Sequence, residues 1–251
     1  MNRTVIRDEL CRGLLGGLAL LALTLPPAEP LRPTATVAPS AAPAPGTPRR
    51  ADFGSTTPGP EVRWLADWIA DTNDNAGAAF AIVDKRSAAL FVFDAQARLR
   101  GSSPVLLGSA RGDDSVAGIG TRPIALVRPE ERTTPAGRFV TGHGRNARGE
   151  DVIWVDYEAA VSMHRVLTTN PAERRPQRLA SGSADDRRIS HGCINLPPAF
   201  YESHIRPAFA GRSGIVYILP ELKSMQQVFG FDDLPRTGEV SMSAAAPPTL
   251  R

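Results

Sequence analysis

At 251 residues, with 42% hydrophobic and 22% charged residues, the chain is long enough for one sizeable core or at most two small ones, which excludes disorder throughout. Lys and Arg total 29 against 26 Asp and Glu, a formal charge of +3. That excess is too small to displace many counterions from phosphates, so no nucleic acid is expected as a partner.

Arg3, Arg7 and Arg12 precede an apolar run from Gly13 to Leu25, which Pro26-Pro27 ends. This layout reads as a signal peptide or signal anchor over 1–28. Thirteen helical residues rise about 20 Å, short of the roughly 30 Å hydrocarbon core, so membrane contact is expected only through an uncleaved N-terminal segment. The expected location is outside the cytoplasm, in the periplasm or cell envelope of a bacterium. Residues 29–60, dominated by Pro, Ala, Thr and Ser, read as a tether. Cys11 lies inside the signal, so export leaves Cys193 alone in a compartment where thiols are normally paired. A lone exported thiol is either a buried small hydrophobe or a working nucleophile.

In chain order, Val62, Leu65 and Ile69 recur at helical spacing after a Pro-Gly-Pro start, predicting a short amphipathic helix over 61–71. Trp64 and Trp68, four apart, belong to its packing face rather than to a carbohydrate platform. AFAIVD and AALFVF around Lys85-Arg86-Ser87 predict a β-hairpin. PVLLGSA (104–110), RFVTG (138–142), DVIWVD (151–156), AAVSM (159–163) and GIVYIL (214–219) are further strand candidates. Pro197-Pro198 open a helix expected to run to about Phe209. The ordered part, 61–234, is then one mainly β domain, and 235–251 is a disordered tail.

The sharpest local feature is Ser190-His191-Gly192-Cys193-Ile194-Asn195. A thiol becomes a useful nucleophile when a nearby imidazole favours its thiolate, and Gly192 would let a backbone N–H approach a developing oxyanion. His164, at the end of the AAVSM strand, is placed where a rigid element could present a general base. A zinc ion held by His164, His191 and Cys193 is the competing use of these residues, on a weak ligand pattern. His143 is a second candidate base, and His204 has no assigned role.

SHGCIN, the upstream His164, the hairpin AFAIVDKRSAALFVFD, Gly108 and the step Thr134-Pro135-Ala136-Gly137-Arg138-Phe139 together resemble the L,D-transpeptidase (YkuD-type) catalytic domain over roughly 78–221. The resemblance implies a β-sandwich of short strands with a few peripheral helices. It also implies a cysteine-dependent acyltransferase acting in cell-wall biogenesis. Cys193 would form a thioester with a peptidoglycan stem tetrapeptide and release terminal D-alanine. His164 would be the base and His191 an orienting residue, with Ser190, Gly192, Asn195 and Arg165 supporting the turn, the oxyanion or the substrate. The acceptor amine could belong to a second stem, a lipoprotein or a free amino acid. Water as acceptor gives a carboxypeptidase instead, and loss of thiol activation gives a non-catalytic wall-binding module. No metal or organic cofactor is required.

The chain departs from the family pattern in two places. Arg165 follows the upstream His where Gly is usual, and His164 stands 29 residues before Cys193, farther than is usual. The intervening loop carries Arg165, Arg174, Arg175, Arg178, Arg187 and Arg188. It is either a solvated insertion or a source of arginines facing stem-peptide carboxylates.

Overall fold

The computed structural model describes residues 48–231. The expected signal segment, most of the tether and the tail lie outside them. Among the described residues no helix is long and apolar enough to cross a membrane.

Two larger sheets and one long helix form the core of the described residues. The hairpin forms as expected, with β1 (Phe80–Asp84) and β2 (Ala89–Phe93) antiparallel. With β3 (Leu99–Pro104), β11 (Ile215–Ile218) and β5 (Gly137–Val140) it makes a five-stranded sheet in the order β3-β2-β1-β11-β5. The second sheet has the order β10-β8-β7-β6, from β10 (Ile194–Leu196), β8 (Val161–Arg165), β7 (Asp151–Asp156) and β6 (Gly142–Arg145). A short parallel pair joins β4 (Leu107–Gly108) to β9 (Arg188–Ser190).

The first sheet is covered on both faces, which explains its unbroken apolar strands. Ala81, Val83, Leu90, Val92, Val216 and Ile218 face Ile153, Val155, Val161, Met163, Ile194 and Leu196 of the second sheet. Phe80, Ile82, Phe91, Phe93, Ile215 and Tyr217 pack instead on Val62, Leu65, Ala66 and Ile69 of α1 (Pro60–Thr72). The fold is therefore a mainly β sandwich with a few short peripheral helices. Trp64 and Trp68 meet Phe231 with ring centroids 5.0 and 4.4 Å away, a packing role.

Two expectations change, and a third holds with an added irregularity. The packed region begins upstream of Glu61: Asp52 bridges to Arg98, and Phe53 is buried edge-on against Phe93. An aromatic ring seated in the core outweighs the polar composition around it. RFVTG is not one strand but a corner between the sheets. Buried Thr141 takes its backbone N–H (2.9 Å) and hydroxyl (3.1 Å) to the Gly214 carbonyl and accepts from Gly214 N–H (2.9 Å). β5 thereby ends in one sheet and β6 begins in the other. The helix opened by Pro198 runs through α3 (Pro198–Phe200), a π-helical turn (Tyr201–Ile205) and α4 (Arg206–Phe209). Pro207 has no N–H for the Ser203 carbonyl, so regular helical bonding cannot continue there.

A buried ion cluster, not foreseen from the sequence, pins the loops on one side of the sandwich. The Lys85 ammonium, fully buried, donates to Asp113 Oδ1 (2.6 Å) and to the carbonyls of Gly112 (2.5 Å) and Thr134 (2.9 Å). Asp113 also accepts from the backbone N–H groups of Glu221, Leu222 and Lys223 at 2.6–2.9 Å. Glu221 lies 3.8 Å from Lys85 and pairs with Arg188 at 2.5 Å. Burial alone would raise the Asp113 carboxyl, but the Lys85 hydrogen bond and the three N–H groups outweigh it and hold the pKa at about 2. Its contribution to stability is therefore present above roughly pH 4 and lost as pH falls through about 2. Lys85→Met strands buried carboxylates and should cost about 3–5 kcal/mol in urea unfolding at neutral pH. A loss below about 1 kcal/mol would contradict the cluster's role.

Candidate active site

The second sheet assembles the site by alternation. Val161 and Met163 point into the core, so Ser162 and His164 emerge together on the outer face of β8. β10 pairs in parallel with β8, setting Asn195 opposite His164. The turn between β9 and β10 then delivers Cys193 one step before the paired residues.

That turn is tied internally. Ser190 Oγ donates to the Cys193 carbonyl (2.6 Å) and accepts from Gly192 N–H (3.0 Å). Gly192 adopts φ +134°, and a Cβ there would stand 2.8 Å from the Thr133 carbonyl oxygen. A side chain is excluded on both counts. Thr134 Oγ1 donates to the Gly192 carbonyl (2.8 Å) and accepts from Gly108 N–H (2.9 Å). At Gly108 the clash alone excludes a side chain, since its Cβ would lie 2.3 Å from the Arg132 carbonyl oxygen. The Thr-Pro step is thus clamped between two glycines, with its Thr134 carbonyl held by Lys85.

The half-buried Cys193 Sγ lies 3.7 Å from Ser162 Oγ and 3.4 Å from the Ala160 carbonyl oxygen. His164 Nδ1 is 2.7 Å from the Arg165 carbonyl oxygen. A carbonyl only accepts, so Nδ1 carries the proton and Nε2 is the acceptor nitrogen of the neutral ring. Asn195, fully buried, is oriented by Arg175, whose Nη1 donates to Oδ1 (2.5 Å). Its Nδ2 then faces His164 Nε2 (3.3 Å) and the Cys193 carbonyl (3.2 Å).

Thiol and imidazole shift one another. Burial would raise the Cys193 thiol, but the facing His164, with help from Ser162, outweighs it and holds the pKa below the ordinary value. Burial would likewise lower His164, but the hydrogen bond and charge of Cys193 and the Arg165 carbonyl raise it, with Arg175 pulling the other way. The two shifts bring the thiol and the imidazole closer in acidity.

The structure brings together Cys193, His164, Asn195, Ser190 and Gly192 of the residues singled out in the sequence. Gly192 was expected to let a backbone N–H reach an oxyanion; its own N–H is bound by Ser190 Oγ. Arg165 is turned away. Strand alternation sends it to the side opposite His164, where it lies over the Tyr201 ring at 4.2 Å and pairs with Asp151 (3.1 Å) and Glu202 (2.5 Å). His191 is exposed beside the turn; burial first, then the charges of Arg132 and Arg175, lower its pKa. His143 lies on the edge strand β6 opposite Ile153, and His204 stacks on Phe200 at 4.4 Å. Most arginines of the long loop hold it down. Arg178 donates to the carbonyls of Glu173 (2.9 Å) and Asp186 (2.8 Å), and Arg187 donates to the Ser87 carbonyl (3.1 Å). Arg175, at the start of α2 (Arg175–Ala180), is the loop arginine that reaches Asn195. Ser162 was missed, although its place two residues before His164 on a strand puts it on the same face.

No family model matches the chain, and no curated protein matches it. Among solved structures it is similar to the helical cell shape determining protein Pgp2 from Campylobacter jejuni, with TM-score 0.39 and 15% identity over 58% of this chain and 49% of that one. The chain thus spans about half of that protein's length. It is also similar to an L,D-transpeptidase from Mycobacterium tuberculosis H37Rv, with TM-score 0.34 and 14% identity over 57% of each chain. The catalytic domain of the E. faecium L,D-transpeptidase gives TM-score 0.30 and 17% identity over 57% of this chain and 98% of that one. At these scores and identities no chemistry transfers to this chain.

The paired shifts make a direct prediction. Iodoacetamide should alkylate Cys193 with an apparent thiol pKa below the ordinary value of about 8.5, and His164→Ala should move that profile upward. An unshifted profile that ignores His164→Ala would contradict the pair.

Proposed function

We propose that this protein is a cysteine-dependent acyltransferase of the bacterial cell wall, an L,D-transpeptidase acting on peptidoglycan stem tetrapeptides outside the cytoplasm. The observation that carries the reaction class is the half-exposed Cys193 thiol lying 3.7 Å from Ser162 Oγ, on the face of β8 that also carries His164, with Asn195 Nδ2 between His164 Nε2 (3.3 Å) and the Cys193 carbonyl (3.2 Å). The substrate class is supported by the resemblance of SHGCIN and the Thr134-Pro135 step to the L,D-transpeptidase signature.

His164 Nε2 takes the proton of the Cys193 thiol, and the thiolate attacks the carbonyl carbon preceding the terminal D-alanine. The carbonyl π electrons move to oxygen. When the tetrahedral intermediate collapses, the C–N bond breaks and the imidazolium returns its proton to the departing amine. D-Alanine leaves and a Cys193 thioester remains. An incoming amine attacks that carbonyl, gives a proton to His164, and displaces the thiolate as a new amide forms. Asn195 and Arg175 hold the imidazole in place, Ser190 and Thr134 hold the turn, and Ser162 supports the thiolate. This scheme assigns no part to Arg165.

The full chain, beside a Cys193→Ala copy, should be incubated with tetrapeptide-bearing peptidoglycan fragments and the products read by mass spectrometry. Release of D-alanine with new cross-linked dimers only in the intact protein is expected. Release without dimers would replace transfer with hydrolysis. No Cys193-dependent change in a folded protein would favour a wall-binding module.

A further inference from the structure

We propose that Arg175 is a positioning residue that acts on His164 through Asn195: by fixing the Asn195 amide it caps Nε2 and holds the imidazole neutral, so the amide must release Nε2 before the ring can take a proton. That His164 serves as a base rests on the acyl-transfer reading above; the lock itself rests on hydrogen-bond direction and is tested without substrate.

Donor and acceptor identities leave one arrangement of these groups. A guanidinium only donates, so the Asn195 atom 2.5 Å from Arg175 Nη1 is the carbonyl oxygen Oδ1. Nδ2 therefore takes the other side of the amide, facing the Cys193 carbonyl at 3.2 Å and His164 Nε2 at 3.3 Å. An amide NH2 only donates, which makes Nε2 a bare acceptor. The Arg165 carbonyl imposes the same form from the far side of the ring, 2.7 Å from Nδ1. Reversing the amide would set Nδ2 against Nη1, donor against donor, and Oδ1 against the Cys193 carbonyl, acceptor against acceptor. Nor is Asn195 free to shift as a whole: it is fully buried, and its backbone N–H and carbonyl both bond to Leu106 at 2.9 Å.

An imidazolium carries N–H on both nitrogens, so Nε2–H would meet the N–H of Asn195. A hydrogen bond made to the neutral form of a group disfavours its charged form. Protonation therefore requires the amide to turn against Arg175, or the ring to withdraw from it. The charged groups facing His164 are Cys193, from the turn before β10, and Arg175, from the long loop; Cys193 favours the imidazolium and Arg175 opposes it. Behind Arg175 stand Glu173, paired with its Nε, and His191. Arg175 thus restrains His164 twice, by its charge and by the amide it fixes. The segment between β8 and β9 gains a use other than contact with substrate, since it supplies the side chain that sets the protonation of the ring.

The test titrates the isotopically labelled full chain without substrate while NMR reads the His164 ring nitrogens and the Asn195 side-chain amide. Above its midpoint His164 should be the Nδ1–H tautomer alone. One Asn195 Nδ2 proton, bonded to Nε2 in that form, should move upfield with the same midpoint as His164 protonates. Arg175→Met should raise the proton affinity of His164 about tenfold. Repeating that substitution in Asn195→Ala separates amide from charge: acting through the amide, it should shift His164 far less there than in the wild type. An equal shift in both backgrounds would leave only the charge and overturn the lock. So would an Nε2–H tautomer in the wild type, or an Asn195 proton that stays put while His164 titrates; these two readings stand even where Asn195→Ala does not fold. The expected titrations in a protein that releases no D-alanine would keep the lock and overturn the part of His164 in acyl transfer.

Discussion

The parallel pairing of β10 with β8 is the constraint on which the site depends. Side chains alternate along a strand, so a slip of one residue would send Asn195 into the core and Ile194 to the face that carries His164. Ile194 and Leu196 are fully buried between the sheets, which fixes the register by hydrophobic burial rather than by any interaction of the polar residues themselves. The chemistry-bearing side chains are thus placed by their apolar neighbours.

Around that register the loops are held from behind. Lys85, Asp113, Glu221 and Arg188 join the hairpin turn, β9 and the segment after β11, and Lys85 reaches forward to the Thr134 carbonyl. Thr134 in turn grips the Gly192 carbonyl. A buried ammonium is thereby connected through one threonine to the turn that carries the nucleophile. Such a network is costly to break at any single member, which suits a turn with one permitted geometry. The long loop between His164 and Cys193 does not separate them. Its residues run outward from β8 and return to β9, and its α2 helix brings Arg175 back to Asn195.

Much of this was legible in the residues. The hairpin around Lys85 was clear because both strand faces are buried, leaving a continuous apolar run broken only by a polar turn. The motif Ser190 to Asn195 carried its chemistry openly. The strands β9 and β10 did not announce themselves, because three residues that include Ser190 or Asn195 show no periodicity. β3, with its Arg100-Gly101-Ser102-Ser103 sequence, is an edge strand whose polar residues read as a loop. The corner at Thr141 was hidden because a residue that ends one sheet and starts another has no local signature. The role given to Arg165 failed for a simpler reason: adjacency in sequence on a strand means opposite faces.

The central claim is that Cys193 and His164 form one charged unit. The most direct measurement is an NMR titration of the His164 ring in the wild type and in Cys193→Ser. The account predicts that His164 titrates above the ordinary histidine value of about 6.5 when the thiolate is present. In Cys193→Ser it should fall, since burial and the Arg175 charge are then opposed only by the Arg165 carbonyl. An identical His164 titration in both proteins would contradict the account.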